Sequence, residues 1–139
     1  MSLSLTDITV LHLALIGLGG ALGGAGRFWV LGAVSSRVGD AFPWGTLVVN
    51  VTGAAAVGML AAWLQPRGAS EAVLLSLSAG LIVGIVGSYT TVSAFSLQTL
   101  VLLRATEWRR ALSYIGASLC LCLASAAAGY AGILWLAGR

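Results

Sequence analysis

The residues of this chain that could do chemistry lie inside apolar sequence. The densest run is Gly84-Ile85-Val86-Gly87-Ser88-Tyr89-Thr90-Thr91-Val92-Ser93-Ala94-Phe95, where two glycines precede a cluster of hydroxyl-bearing side chains. Glycine and β-branched threonine favour local departure from a helix. A broken helix frees backbone N–H and C=O groups that hydrocarbon cannot satisfy, so such breaks sit in protein interiors or line ion paths. The alternative is a packed helix whose hydroxyls bond back to its own carbonyls. Two further polar sets each share one helical face: Thr46, Asn50 and Gly53 at i, i+4, i+7, and Tyr114, Ser118, Cys122 and Ser125 at i, i+4, i+8, i+11. A track of hydroxyls with one amide can coordinate an ion or tie helices together, and spacing alone leaves both open.

Other chemistry is missing. The four acids, Asp7, Asp40, Glu71 and Glu107, all lie at the edges of apolar blocks. That weighs against proton-coupled pumping and cation transport, which place carboxylates inside the membrane. It also removes carboxylate-pair catalysis and metal clusters. His12 is the sole histidine and reads as interfacial or bundle-facing. No Ser-His-Asp or Cys-His set can be built around it, and no enzyme is expected. Cys120 and Cys122 point about 200° apart on a helix, so they neither pair nor chelate and read as small buried residues.

The elements that must position these groups follow from composition. Of 139 residues, 59% are hydrophobic and 8% charged, against about 45–50% and about 25% in soluble domains. Mean hydropathy is +1.01. These values leave too little polar surface for a water-facing fold and indicate an integral membrane protein. Four apolar blocks run over Ile8–Val34, Thr46–Leu64, Glu71–Leu103 and Ala111–Ala137, each long enough to cross about 30 Å of hydrocarbon. Gln65-Pro66-Arg67-Gly68 and Arg104–Arg110 punctuate them. The connections leave no room for a second domain, so residues 1–139 are expected to form one four-helix unit. Met1–Thr9 carries Asp7 and no basic residue, and the first block is therefore expected to remain as a span. The positive charge comes from arginine alone and forms no stripe, which argues against nucleic-acid binding. Gly19, Gly20, Gly23, Gly24 and Gly26 form overlapping small-xxx-small patterns of close helix packing.

Three motifs then coincide. Gly19–Phe28 resembles the glycine-rich first helix, ending in Arg and an aromatic, of the Fluc/CrcB fluoride channels. Phe42-Pro43-Trp44-Gly45-Thr46-Leu47-Val48-Val49-Asn50 resembles that family's FPxGTLxVN stretch with every fixed position filled, and Gly84–Phe95 resembles its GxxGxxTTFSTF stretch. Order, spacing and the four-span layout agree over nearly the whole chain. The resemblance implies an all-α membrane protein of four transmembrane helices with a broken third helix. It implies an antiparallel dual-topology dimer in the inner membrane that exports fluoride passively through two pores. By matching positions, Asn50, Thr46, Thr91, Ser93, Phe95, Tyr114, Ser118 and Cys122 would line the pore, and Arg27 would draw anions into a vestibule. The carbonyls of Gly87 and Thr90 would hold a structural sodium ion between subunits. Fluoride, the membrane lipid and a second subunit are the implied partners.

The residue types suit that task. Fluoride is small and strongly hydrated, so a pore must replace its water with amide and hydroxyl donors or the positive edge of a phenyl ring. Conduction also requires release, which a buried Lys or Arg along the path would hinder. The chain departs from the family at Val92, which stands at the first pore phenylalanine, and at Gln98, where Glu is frequent. Arg37, Arg104, Arg109 and Arg110 lie on one side of the four spans and Arg67 and Arg139 on the other, a split that favours an external N-terminus. Two assemblies stay open: a homodimer that tolerates Val92, or a heterodimer with a paralogue supplying the missing ring. A small four-span proton-coupled multidrug transporter is a rival that would need an intramembrane carboxylate. A non-conducting partner subunit is another.

Overall fold

The computed structural model describes residues 10–65 and 70–138, and these are helical throughout apart from short connections. Four helical stretches are long and apolar enough to cross a membrane. α1 spans Val10–Val38 and α2 Trp44–Trp63. The third stretch comprises α3 (Glu71–Leu77), a π-helical segment (Ser78–Val86), the single turn α4 (Gly87–Tyr89) and α5 (Val92–Arg104). α6 spans Trp108–Leu136. The chain is thus a multi-pass membrane protein.

The helix ends depart from the apolar blocks by a few residues, for identifiable reasons. α1 continues past Val34 because polar Ser35, Ser36 and Arg37 can still be helical; Arg37 donates to the Ala33 carbonyl at 3.0 Å. The helix stops where Gly39 takes φ +73° and its N–H bonds to the Ser35 carbonyl, a left-handed glycine stop. α2 begins two residues before Thr46, directly after Pro43, whose missing N–H costs nothing at a helix start. The turn after α5 is a Schellman motif: Thr106 N–H bonds to the Leu103 carbonyl and Glu107 N–H to that of Leu102. Thr106 holds φ 60° there, where glycine is usual. α6 then starts at Trp108, inside the segment expected as a loop, with Arg110 bridging Glu107 at 3.0 Å. Arg67 and Arg139, needed to count positive charge on the second side, lie outside the described residues.

Glycines bring two helix pairs to backbone contact. A Cβ on Gly23 would strike the Ile85 carbonyl, and Gly19 and Gly84 face each other across α1 and the π segment. A Cβ on Gly58 would strike the Ala126 carbonyl, and one on Gly129 that of Ala55, which joins α2 to α6. Gly19, Gly20, Gly23 and Gly26 therefore act as packing residues, as the small-xxx-small pattern suggested, whereas Gly24 faces open space. His12 is buried against the third stretch, where its Nε2 lies 3.2 Å from the Ser76 hydroxyl. Phe28, Trp29, Leu123 and Trp135 are among many large apolar side chains left exposed, the outer surface that hydrocarbon or another chain would cover.

The helix break falls at Thr90–Thr91, within the Gly84–Phe95 run. Gly87 is itself helical (φ −61°, ψ −37°). Thr90 turns out with ψ 161° and Thr91 is extended at φ −153°, ψ 117°. The break sits where a neighbouring helix offers substitute hydrogen bonds, not where glycine relaxes the backbone.

Candidate functional site

That substitute comes from Asn50 on α2. The Thr91 N–H, which a continuous helix would give to the Gly87 carbonyl, donates to Asn50 Oδ1 at 2.8 Å. Asn50 Nδ2 donates in return to the Thr91 carbonyl at 3.0 Å. One carboxamide thereby meets both backbone groups of the extended residue. It has two N–H groups and spends one on Thr91. The other has no hydrogen-bond partner among the described residues, and half-buried Asn50 lines an open groove.

Thr91 uses its own side chain to start α5. Its Oγ1 accepts from Ala94 N–H at 3.2 Å and lies 3.1 Å from Ser93 Oγ. This is an N-cap, and the uncapped N–H groups of the first turn give that end a partial positive charge. Asn50 is placed opposite by α2, which can come close because Gly53, one turn on, leaves room for Thr90 and Tyr89. Tyr89 is fixed by its hydroxyl, 2.9 Å from Thr52 Oγ1.

The groove runs between α2, the break and α6 and has a volume of about 540 Å³. Asn50, Thr91, Phe95, Ser118 and Cys122 all line it, together with Thr90 and Val92. Five of the sequence-predicted pore residues therefore meet on one surface. Ser118 is buried, and its hydroxyl has no hydrogen-bond partner among the described residues. Val92 is 77% exposed, so the position that carries an aromatic in the resemblance offers an isopropyl group at the open side.

The remaining predicted residues lie elsewhere. Tyr114 is fully buried in a cluster with Leu47, Leu102 and Ala111 and is not among the residues lining the groove. Its ring centroid is 5.2 Å from that of Phe95 and 5.6 Å, edge-on, from that of Phe42. Its hydroxyl donates to Gln98 Oε1 at 2.9 Å. Thr46 is buried beside that tyrosine and, with Gln98 and Asp40, lines a separate pocket of about 300 Å³ near the α1–α2 connection. Arg27 and Ser93 border a cleft of about 350 Å³ on the other side of the break, and Thr91 faces both this cleft and the groove. Arg27 Nη1 reaches the Thr90 carbonyl at 3.5 Å, a long bond that brings the guanidinium to the break itself.

Gln98 belongs to this constellation although its residue type alone did not nominate it. The available signal was its i+3 spacing from Phe95, which puts both on one face of α5. The cysteines also differ from their expected burial. Cys122 is half-buried at the groove and Cys120 is exposed, because i and i+2 residues on a helix cannot share a face.

Three of the four membrane-crossing stretches, α2, the broken third and α6, border a groove whose largely apolar lining carries one amide and several hydroxyls, and among the described residues no acid lies within the spans away from their ends. This is the arrangement of a small polytopic membrane protein. The family profile described as CrcB-like protein, Camphor Resistance (CrcB), matches residues 14–130. A relative from Brucella suis biovar 1 (strain 1330), named fluoride-specific ion channel FluC 3, is 44% identical over 122 residues, covering 88% of this chain and 91% of the relative. One from Brucella abortus biovar 1 (strain 9-941), named fluoride-specific ion channel FluC 4, is 45% identical with the same coverage. A third, fluoride-specific ion channel FluC 2 of Rhodopseudomonas palustris (strain BisB18), is 43% identical over 127 residues, covering 90% and 95%. The chain belongs to the CrcB family.

Proposed function

We propose that this chain is a passive, fluoride-selective channel of a bacterial inner membrane that exports fluoride. The observation that carries the reading is the likeness, over nearly their whole length, to relatives named fluoride-specific ion channels. The geometry supplies a physical basis. The spare Asn50 N–H, the unpaired Ser118 hydroxyl and the Phe95 ring border one groove and offer partial positive charge without a fixed cation. Thr91 and Ser93 mark the positive end of α5 beside it. A small anion can exchange water for these donors and still leave. Arg27, in the adjoining cleft, would raise the local concentration of anions. Thr46, Tyr114 and Cys122 complete the proposed path.

The single groove is open on one side, which suits a second copy inserted antiparallel, giving two pores per dimer within membrane lipid. All residues 1–139 would form one channel unit. A structural sodium ion between the copies fits the break in chemical type. The Gly87 carbonyl has lost its helical amide partner to Asn50, and the Thr90 carbonyl points out of the helix. Bound there, sodium would supply charge that holds the subunits together, with oxygen ligands from Gly87 and Thr90. Arg27 already shares the Thr90 oxygen, so that ligand would be divided between the two cations.

A heterodimer is favoured by one observation: Val92, exposed at the open side of the groove, leaves a place that a partner's aromatic ring could fill. Proton-coupled drug transport lacks the carboxylate it needs among the described spans. The test is fluoride efflux from liposomes holding only the purified protein, with no proton gradient. Passive efflux is expected. Absence of efflux contradicts a self-sufficient channel, and efflux only after co-expression with a paralogue selects the heterodimer.

A further inference from the structure

Cys122 is the one soft, ionisable nucleophile in the groove. It lies one helical turn beyond Ser118 on α6, and both line the same space as Asn50 and Phe95. Ser118 is only 6% exposed and its hydroxyl lacks a partner, so the groove wall holds a buried polar group that a ligand or water must meet. Hydroxyls suit a hard anion, whereas a thiol at the next position serves different chemistry. Thiolates select soft cations such as Hg2+ and Ag+, and the protonated thiol binds them by releasing its proton. The volume of about 540 Å³ accommodates a metal ion with its remaining ligand. Cys120, two residues earlier, is exposed and lines neither the groove nor the two cavities described above.

We propose that Cys122 forms a soft-metal binding site within the ion path, through which thiophilic cations block this channel. The step is a ligand exchange: mercuric chloride meets the Cys122 thiol, an S–Hg bond forms, one Hg–Cl bond breaks, and chloride and the thiol proton leave to water. No oxidant or reductant is involved. The bound Hg–Cl group stands between Asn50, Phe95 and Ser118, where the passing ion would have to be. Excess dithiothreitol removes the metal by offering a competing pair of thiols and reverses the block. The blocking half of the proposal rests on the channel reading above, while the binding half does not.

The experiment treats protein in liposomes with mercuric chloride and reads two quantities. Intact-protein and peptide mass spectrometry locate the metal, and a fluoride electrode follows efflux, each variant compared with its own untreated rate. In the wild type and in Cys120→Ser, mercury is expected on Cys122, with efflux falling roughly tenfold or more because the bound group occupies the path. In Cys122→Ser the ratio of treated to untreated efflux is expected to stay near one. Mercury on Cys120 in preference to Cys122, undiminished efflux with Cys122 occupied, or equal block in Cys122→Ser would each overturn the proposal. Untreated protein without efflux would overturn the channel reading instead, and mercury located on Cys122 or absent from it would still decide the site.

Discussion

Two regions of this molecule handle buried backbone in opposite ways. Along the seam between α1 and the π segment, and along that between α2 and α6, backbones touch through glycine and every strand of contact joins intact helix to intact helix. The peptide groups keep partners within their own helices, and cohesion comes from close packing. At Thr90–Thr91 the helix gives up its own bonding, and a side chain from another helix replaces it. The seams are therefore structural and intolerant of added volume. The break depends on polar chemistry and leaves donors to spare. Substitutions in the seams should act on stability, whereas those at the break and groove should act on flux.

The largest expected effect is in the seam. Gly23→Val puts branched carbon against the Ile85 carbonyl, where neither backbone can give way without parting the helices. Overpacking of this kind costs about 1–3 kcal/mol or more. Loss of folded protein, or a clear drop in Tm by thermal size-exclusion chromatography, is expected; an unchanged Tm would erase the distinction. Asn50→Ala comes next. It strips Thr91 of both partners, but these groups are only part-buried beside the groove, so each lost bond costs about 1 kcal/mol rather than a full burial penalty. A lower Tm together with lost efflux is expected, since this residue closes the break and borders the proposed path. Ser118→Ala sharpens the contrast from the other side. Its hydroxyl has no partner to lose, so stability should hold within about 0.5 kcal/mol, while fluoride efflux falls. A drop in Tm with unchanged efflux would move Ser118 into the structural class. Gly24→Ala is the smallest effect: nothing lies within reach of its Cβ, so Tm should hold or rise slightly, opposite to its neighbour Gly23.

The same contrast explains what could be read from sequence. Four spans were legible because composition and length speak directly to the bilayer. The packing role of Gly23 was legible because small residues at fixed spacing have few other uses in a membrane. Asn50 stood out because an amide in apolar sequence needs a partner. The position of the break was not legible to the residue. Glycine and threonine propensities mark the Gly84–Phe95 run as a whole, and the deciding contribution is a pair of hydrogen bonds from α2, a tertiary fact. The π segment at Ser78–Val86 was equally hidden, since its wider turns leave no mark in residue type. Helical spacing put Tyr114 on one stripe with Ser118 and Cys122, but Phe42 and Phe95 from other elements close over its ring and bury it. Gln98 was noticed as a departure from a family pattern, and its role emerged only with Tyr114 at 2.9 Å.

The central claim is that the carboxamide closing the helix break also serves the ion. Asn50→Asp tests it most directly, because the substitution keeps shape and one acceptor while replacing the donors with negative charge. Wild type and variant are purified as folded protein, reconstituted at equal density, and assayed with a fluoride electrode at zero proton gradient. Passive efflux from the wild type and background efflux from Asn50→Asp are predicted. Wild-type efflux from folded Asn50→Asp would show that the ion does not pass Asn50, and the assignment of the groove would fail with it.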